Sequence, residues 1–137
     1  MQLWVANGNQ LLTNIKDTSG TAHAFIFSYV FDTNNFQHVA VTYDKGSGLA
    51  VLYLNGTNVA SENIGSITPQ TTYPVNIGRR TGQPNGNGDT YGGLMDELSL
   101  YNRALSASEI KAIYTGGKGA VVKAYFIHAT IELIGRR

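Results

Sequence analysis

Apolar and polar residues alternate with the two-residue period of a half-buried strand along much of this chain. The clearest stretch is "QHVAVTYDKGSGLAVLYLNGTNVAS", residues 37–61, where two runs of β-formers flank the turn "DKGSG" and Asn55-Gly56 follows as a tight-turn signal. This predicts three antiparallel strands in a meander. Val39, Val41 and Tyr43 fall on one face of the first strand; Leu49, Val51 and Tyr53 share one face of the second, and Ala50, Leu52 and Leu54 the other. A strand apolar on both faces is covered on both, so the second strand is expected to be central. "QLWVANG" and "HAFIFSYVF" read as earlier strands, separated by the polar stretch "TNIKDTSGT" and closed by "DTNN". "YPVNIGRR" reads as a later one, with Pro74 at its start, where a missing ladder donor costs least. Residues 81–93, "TGQPNGNGDTYGG", have turn chemistry at nearly every position and no apolar period, which predicts a long exposed loop.

The segment "GGLMDELSLYNRALSASEI", residues 92–110, joins a strand to a helix start. Uninterrupted alternation places Leu94, Asp96, Leu98 and Leu100 on one face and Met95, Glu97, Ser99 and Tyr101 on the other. Ser106 and Glu109 have the S-x-x-E spacing of a capping box, and Leu105 and Ile110 hold the positions of a hydrophobic staple. A short helix is predicted over 107–114, ended by "TGG". Beyond Gly119, "AVVKAYFIHATIELIGRR" changes texture to apolar and β-branched. The expected division is a domain over 1–118 and a tail over 119–137 that is an extra strand, a short helix or a linker.

With 137 residues the chain can bury one sizeable core and is too short for two ordinary domains. Charged residues make up 14%, against about 25% in typical domains, while Gly, Asn, Thr and Ser are abundant, as suits short strands joined by turns. A formal net charge of +1 with dispersed Lys and Arg provides no footprint for nucleic acid. The absence of Cys removes disulfides, thiolate metal sites and cysteine nucleophiles. No apolar run approaches the roughly 20 residues of a membrane span, and "MQLWVANGNQ" lacks the regions of a signal peptide, so any export signal is expected upstream.

"FQHVAVTYD", "LYLNGTNVAS", "VNIGR" and "GGLMDELSLYNRALSASEI" resemble, in this order, the second half of a laminin-G-like domain of the concanavalin A-like lectin/glucanase superfamily. The resemblance covers residues 36–115 well and 1–35 loosely, with Phe36 where the family has Trp and without the family's opening motif "YWPFDG". It implies an all-β jelly-roll sandwich, incomplete at its N-terminus, with one short C-terminal helix and with open sheet edges that invite self-association. It also implies a non-catalytic recognition module of an exported or cell-surface protein, most simply carbohydrate-binding. The alternatives are a protein-interaction or adhesion module, with an extracellular protein as partner, and a remnant of a glycan-cleaving enzyme.

The adjacent acids set the chemistry. Superfamily glucanases use alternating acids, E-x-D-x-E, because residues two apart return to one face and bring nucleophile and acid to about 5 Å. Asp96 and Glu97 are neighbours in sequence and face apart, so one strand cannot make them a glycosidase pair. No G-x-S-x-G occurs, and His23, His38 and His128 lack ligand or triad spacing, so no catalytic residue is assigned. His38 is expected to pack beside the meander. The resemblance suggests Asp96 as a ligand of Ca²⁺; the competing reading, weighted above it, is a carboxylate hydrogen-bonded to loop amides. Calcium takes six to eight oxygens, which one carboxylate does not supply. Asn85, Asn87 and Asp89 begin like a calcium loop but continue with Thr90, and a flexible loop is the simpler reading. For sugar, an aromatic face beside planar amides and a guanidinium is the right combination, which makes Arg79, Asn85, Asn87, Asp89 and Tyr91 the candidate ligand-binding residues.

Overall fold

The computed structural model describes residues 1–6, 10–29, 34–78, 94–116 and 130–136. Eight strands and one helix follow in the order β1 (Gln2–Ala6), β2 (Gln10–Lys16), β3 (Ala22–Ser28), β4 (Gln37–Asp44), β5 (Leu49–Leu54), β6 (Thr57–Asn63), β7 (Leu94–Tyr101), α1 (Ala107–Gly116) and β8 (Thr130–Arg136). They form two antiparallel sheets, β1-β2-β3 and β6-β5-β4-β8-β7.

The meander is β4-β5-β6, and its faces follow the alternation of the sequence. Val39, Val41, Tyr43, Ala50, Leu52 and Leu54 bury against Leu11, Ile15 and Phe25 of the smaller sheet to form the main core. Each such Val, Leu or Ile contributes roughly 1.5–3 kcal/mol when fully buried. The buried Tyr43 ring satisfies its hydroxyl by donating to the Gly65 carbonyl at 2.8 Å and accepting from the Ile67 amide at 2.8 Å, which ties the irregular segment after β6 to the core. On the other face of the larger sheet Ala40, Val51, Tyr53 and Tyr101 pack with Leu105 and Ile110 under α1. Asn55 and Gly56 both take positive φ, 51° and 72°, which closes the β5–β6 hairpin in two residues. A Cβ on Gly56 would lie 2.9 Å from the Tyr114 ring, so the missing side chain also lets α1 approach. His38 is buried beside that helix, its ring centroid 5.9 Å from that of Tyr114.

Several expectations are corrected. The polar-looking stretch after "QLWVANG" contains β2, because Leu11, Thr13 and Ile15 alternate inward and Thr13 meets its buried hydroxyl's need by donating to the Gln2 carbonyl at 3.0 Å. The strand expected in "YPVNIGRR" is not formed over its described part, 73–78; Tyr73, Val75 and Ile77 are exposed, with no ladder to hold them. The alternation expected along β7 breaks in its middle. Asp96 pairs with Ile134 and Ser99 with Glu132, so three steps on β7 oppose two on β8, and Glu97 takes a left-handed φ of 51°. This β-bulge inserts one residue and reverses the faces beyond it. Asp96 therefore shares a face with Ser99 and Tyr101 and not with Leu98 and Leu100.

The tail contributes β8, which enters the larger sheet between β4 and β7 and pairs with both. Its β-branched, apolar composition, "TIELIGR", suits a strand with a neighbour on each side.

Candidate functional site

An open concave surface lies where the β4–β5 turn meets the approach to α1. A hollow of about 390 Å³ is bounded by Tyr43, Asp44, Lys45, Gly46, Arg103 and Ala104. An adjoining one of about 430 Å³ shares Asp44 and Arg103 and reaches Ser47, Tyr53 and Glu109.

The turn is built by Asp44. Its Oδ1 accepts from the Gly46 amide at 3.0 Å, and its Oδ2 accepts from the Ser47 hydroxyl at 2.7 Å and the Ser47 amide at 3.3 Å. Side-chain acceptance by an Asp two and three residues ahead is the ordinary way such turns are locked. Gly48 follows at φ 74°, where a Cβ would come within 2.9 Å of the Gly65 backbone. The opposite wall is the capping box: the Ser106 amide donates to Glu109 Oε2 at 2.9 Å, and the Glu109 amide donates to Ser106 Oγ at 3.3 Å. Leu105 and Ile110, both buried, fix the entry of the chain. Arg103 adds a forked pair to Glu109, Nη1 to Oε2 at 2.9 Å and Nη2 to Oε1 at 2.5 Å. The Arg103 hydrogen bonds, followed by those of the Ser106 amide and hydroxyl, pull the Glu109 carboxyl down to about 2. Both carboxylates of the hollow thus act as structural acceptors, Asp44 of its own turn and Glu109 of the helix start. The arrangement presents the rim of the Arg103 guanidinium, itself forked to Glu109, and turn hydroxyls above the buried Tyr43 and Tyr53 rings.

Arg79, Asn85, Asn87, Asp89 and Tyr91 lie outside the described residues. Asp96 is exposed, and its Oδ1 accepts the Glu97 amide at 2.9 Å. Among the described residues no group of three or more His, Cys, Asp or Glu could hold a metal ion. Asp44 and Arg103 were not among the sequence candidates. The available signal was the Arg103–Glu109 spacing beside the capping box, but only folding shows that this end piece faces the Asp44 turn.

A second carboxylate cluster shows the same economy. Asp17 Oδ1 accepts from Ser19 Oγ at 2.6 Å and from the Ser19 and Thr21 amides, both at 2.9 Å, while Oδ2 faces His23 Nε2 at 3.1 Å. The Ser19 hydroxyl, then His23, lowers its carboxyl to about 2 against the opposing effect of desolvation, with the Thr21 and Ser19 amides adding to the lowering. It closes the β2–β3 turn.

Comparison with known proteins agrees with this architecture. The family model described as concanavalin A-like lectin/glucanases superfamily, of laminin-G type, matches residues 1–111, and the chain belongs to this family. No curated protein matches it. Among solved structures it is similar in fold to residues 221–444 of an S-layer domain-containing protein from Clostridium thermocellum, with 24% identity and a TM-score of 0.54 over 77% of this chain. The matched region is 51% of that solved chain, so this chain spans about half its length.

Proposed function

We propose that the chain is a non-catalytic recognition module of an exported or cell-surface protein and that its ligand is carbohydrate. The observation that carries this reading is the open hollow at Asp44 and Arg103, whose acids hold the fold while an exposed guanidinium edge and turn hydroxyls border the space. Sugar hydroxyls need such planar and polar partners. Membership of a family that contains lectins supports the ligand class, and the likeness to an S-layer domain-containing protein supports the cell-surface setting. Among the described residues no helix is long and apolar enough to cross a membrane. Arg79, Asn85, Asn87, Asp89 and Tyr91 enter the proposal as further sugar contacts, and calcium through Asp96 enters as a variable of the test.

A glycan array probed with the intact chain, with and without chelator, tests the reading. Retention of a defined glycan class, weakened by Arg103→Ala, is expected. Failure to retain any glycan by a chain with an intact circular dichroism spectrum overturns it. One observation favours a protein ligand instead: Tyr73, Val75 and Ile77, close together in an irregular segment, are 63%, 63% and 59% exposed. Protein partners would be expected to lose affinity in Ile77→Asp, which leaves the hollow untouched.

A further inference from the structure

We infer that the outer face of the three-stranded sheet is a stacking platform for a neutral polysaccharide, centred on Trp4; this rests on the carbohydrate reading above. Strand register sets Trp4 opposite Leu12 and Leu12 opposite Ile26, a straight row across β1, β2 and β3. The alternating residues Leu11, Ile15 and Phe25 are buried in the core, so the row points the other way. Ile26 is 51% exposed, and Trp4 and Leu12 are half-buried. The three strands span on the order of 10 Å, enough for a disaccharide laid along the row.

What borders the row identifies the ligand. On one side lie Gln2 and Asn14, paired in register, with the Asn14 amide donating to Gln2 Oε1 at 3.2 Å. On the other side Gln10 pairs with Ser28. An indole presents a flat apolar surface to the C–H face of a pyranose, while amides and a hydroxyl at its edges meet the equatorial hydroxyls as donors and acceptors. Asn14 Oδ1 is buried without a hydrogen-bond partner, a deficit that a sugar hydroxyl beside Trp4 makes good when the amide turns outward and exchanges its bond to Gln2 for the sugar. Lys16 is the one charged side chain that these strands place on this face. Anionic chains are held by several cations acting together, so an uncharged glycan is the complementary occupant.

Trp4 is the only tryptophan in the sequence, so intrinsic fluorescence reads this face alone. The full chain is titrated with cellohexaose, xylohexaose and mannohexaose, with a heparin hexasaccharide as charged control, and the same mixtures are followed by calorimetry. A saturable blue shift of Trp4 emission with a neutral hexasaccharide is expected, with none from heparin. Trp4→Ala should weaken that binding at least tenfold, Trp4→Phe should keep part of it, and Gln2→Ala, at an exposed position, should weaken it several-fold if Trp4→Ala does not fold. A glycan that binds by calorimetry without moving Trp4 emission, and equally well to Gln2→Ala and Trp4→Phe, overturns the platform and leaves the carbohydrate reading standing. No heat and no shift with any glycan overturns both. A concentration-dependent shift without sugar means that a second copy covers the face, and also overturns the platform.

Discussion

Glu109 joins three neighbours in one carboxylate: the Ser106 amide, the Ser106 hydroxyl and the Arg103 fork. Its carboxyl is held at about 2 against a reference of 4.5, chiefly by Arg103. A depressed carboxyl contributes stability that is fully present above the unfolded value and is lost as pH falls through the folded one. The melting temperature should therefore fall between pH 4.5 and 2, with Asp17 adding to the same limb from its own shift of 3.8 to about 2. Glu109→Gln should flatten part of that acid limb in a thermal melt series; an unchanged limb would show that the pair contributes nothing measurable, as exposed ion pairs often do. Asp96 offers a second test at this scale. With its Oδ1 on the Glu97 amide, Asp96→Ala should destabilise by about 0.5–1 kcal/mol through loss of an exposed hydrogen bond. Chelator should leave the wild-type melting temperature unchanged. A chelator-induced drop that disappears in Asp96→Asn would make Asp96 a calcium ligand.

Strand β7 lies at the edge of its sheet, and there the two adjacent acids acquire a reason. The bulge breaks the flat ladder and two exposed carboxylates stand beside it, both of which discourage pairing with another chain's edge. Glu97 carries this at a cost, since a left-handed backbone disfavours a residue with a Cβ by roughly 1–2 kcal/mol. Glu97→Gly should raise the melting temperature while increasing self-association in light scattering; a variant that is less stable, or equally monodisperse, would refute edge protection. The helix entry obeys a simpler rule: Ser106→Ala should cost about 1 kcal/mol in denaturant unfolding by freeing the capped Glu109 amide. These elements differ in how well the sequence revealed them. The meander and α1 were legible because period, turn residues and capping box agree within a few positions. β2 was not, because Thr13 and Asn14 read as loop residues until a neighbouring strand supplies the Gln2 carbonyl and the inward pocket. The β7 faces were misread because a bulge requires no particular residue: here it is Glu97, not Gly, that turns left-handed. The Trp4 row was invisible for the same reason as β2, since a cross-strand row exists only once three strands have a register.

At the scale of the whole molecule, the tail decides whether the sandwich closes. Residues 119–137 looked separable by texture, yet β8 stands between β4 and β7 and gives both their hydrogen-bonding neighbour. Without it the larger sheet would split: β6-β5-β4 would keep the main core with a newly open edge on β4, while β7 would have no strand beside it. Open edges next to apolar surface promote association. The hollow at Asp44 and Arg103 would suffer as well, because Arg103 follows β7 directly and is placed against the Asp44 turn only while β7 is held in the sheet. A chain ending at residue 118 should therefore lose its cooperative melt or elute as aggregates. The full-length chain, retaining β8, should unfold in one transition and show the smaller self-association of a sheet with a guarded β7 edge. Size-exclusion chromatography with light scattering and a thermal melt of both chains decide the matter. A monodisperse, cooperatively folding 1–118 chain would mean that the packing of Tyr101, Leu105 and Ile110 against β4 and β5 holds β7 in place by itself.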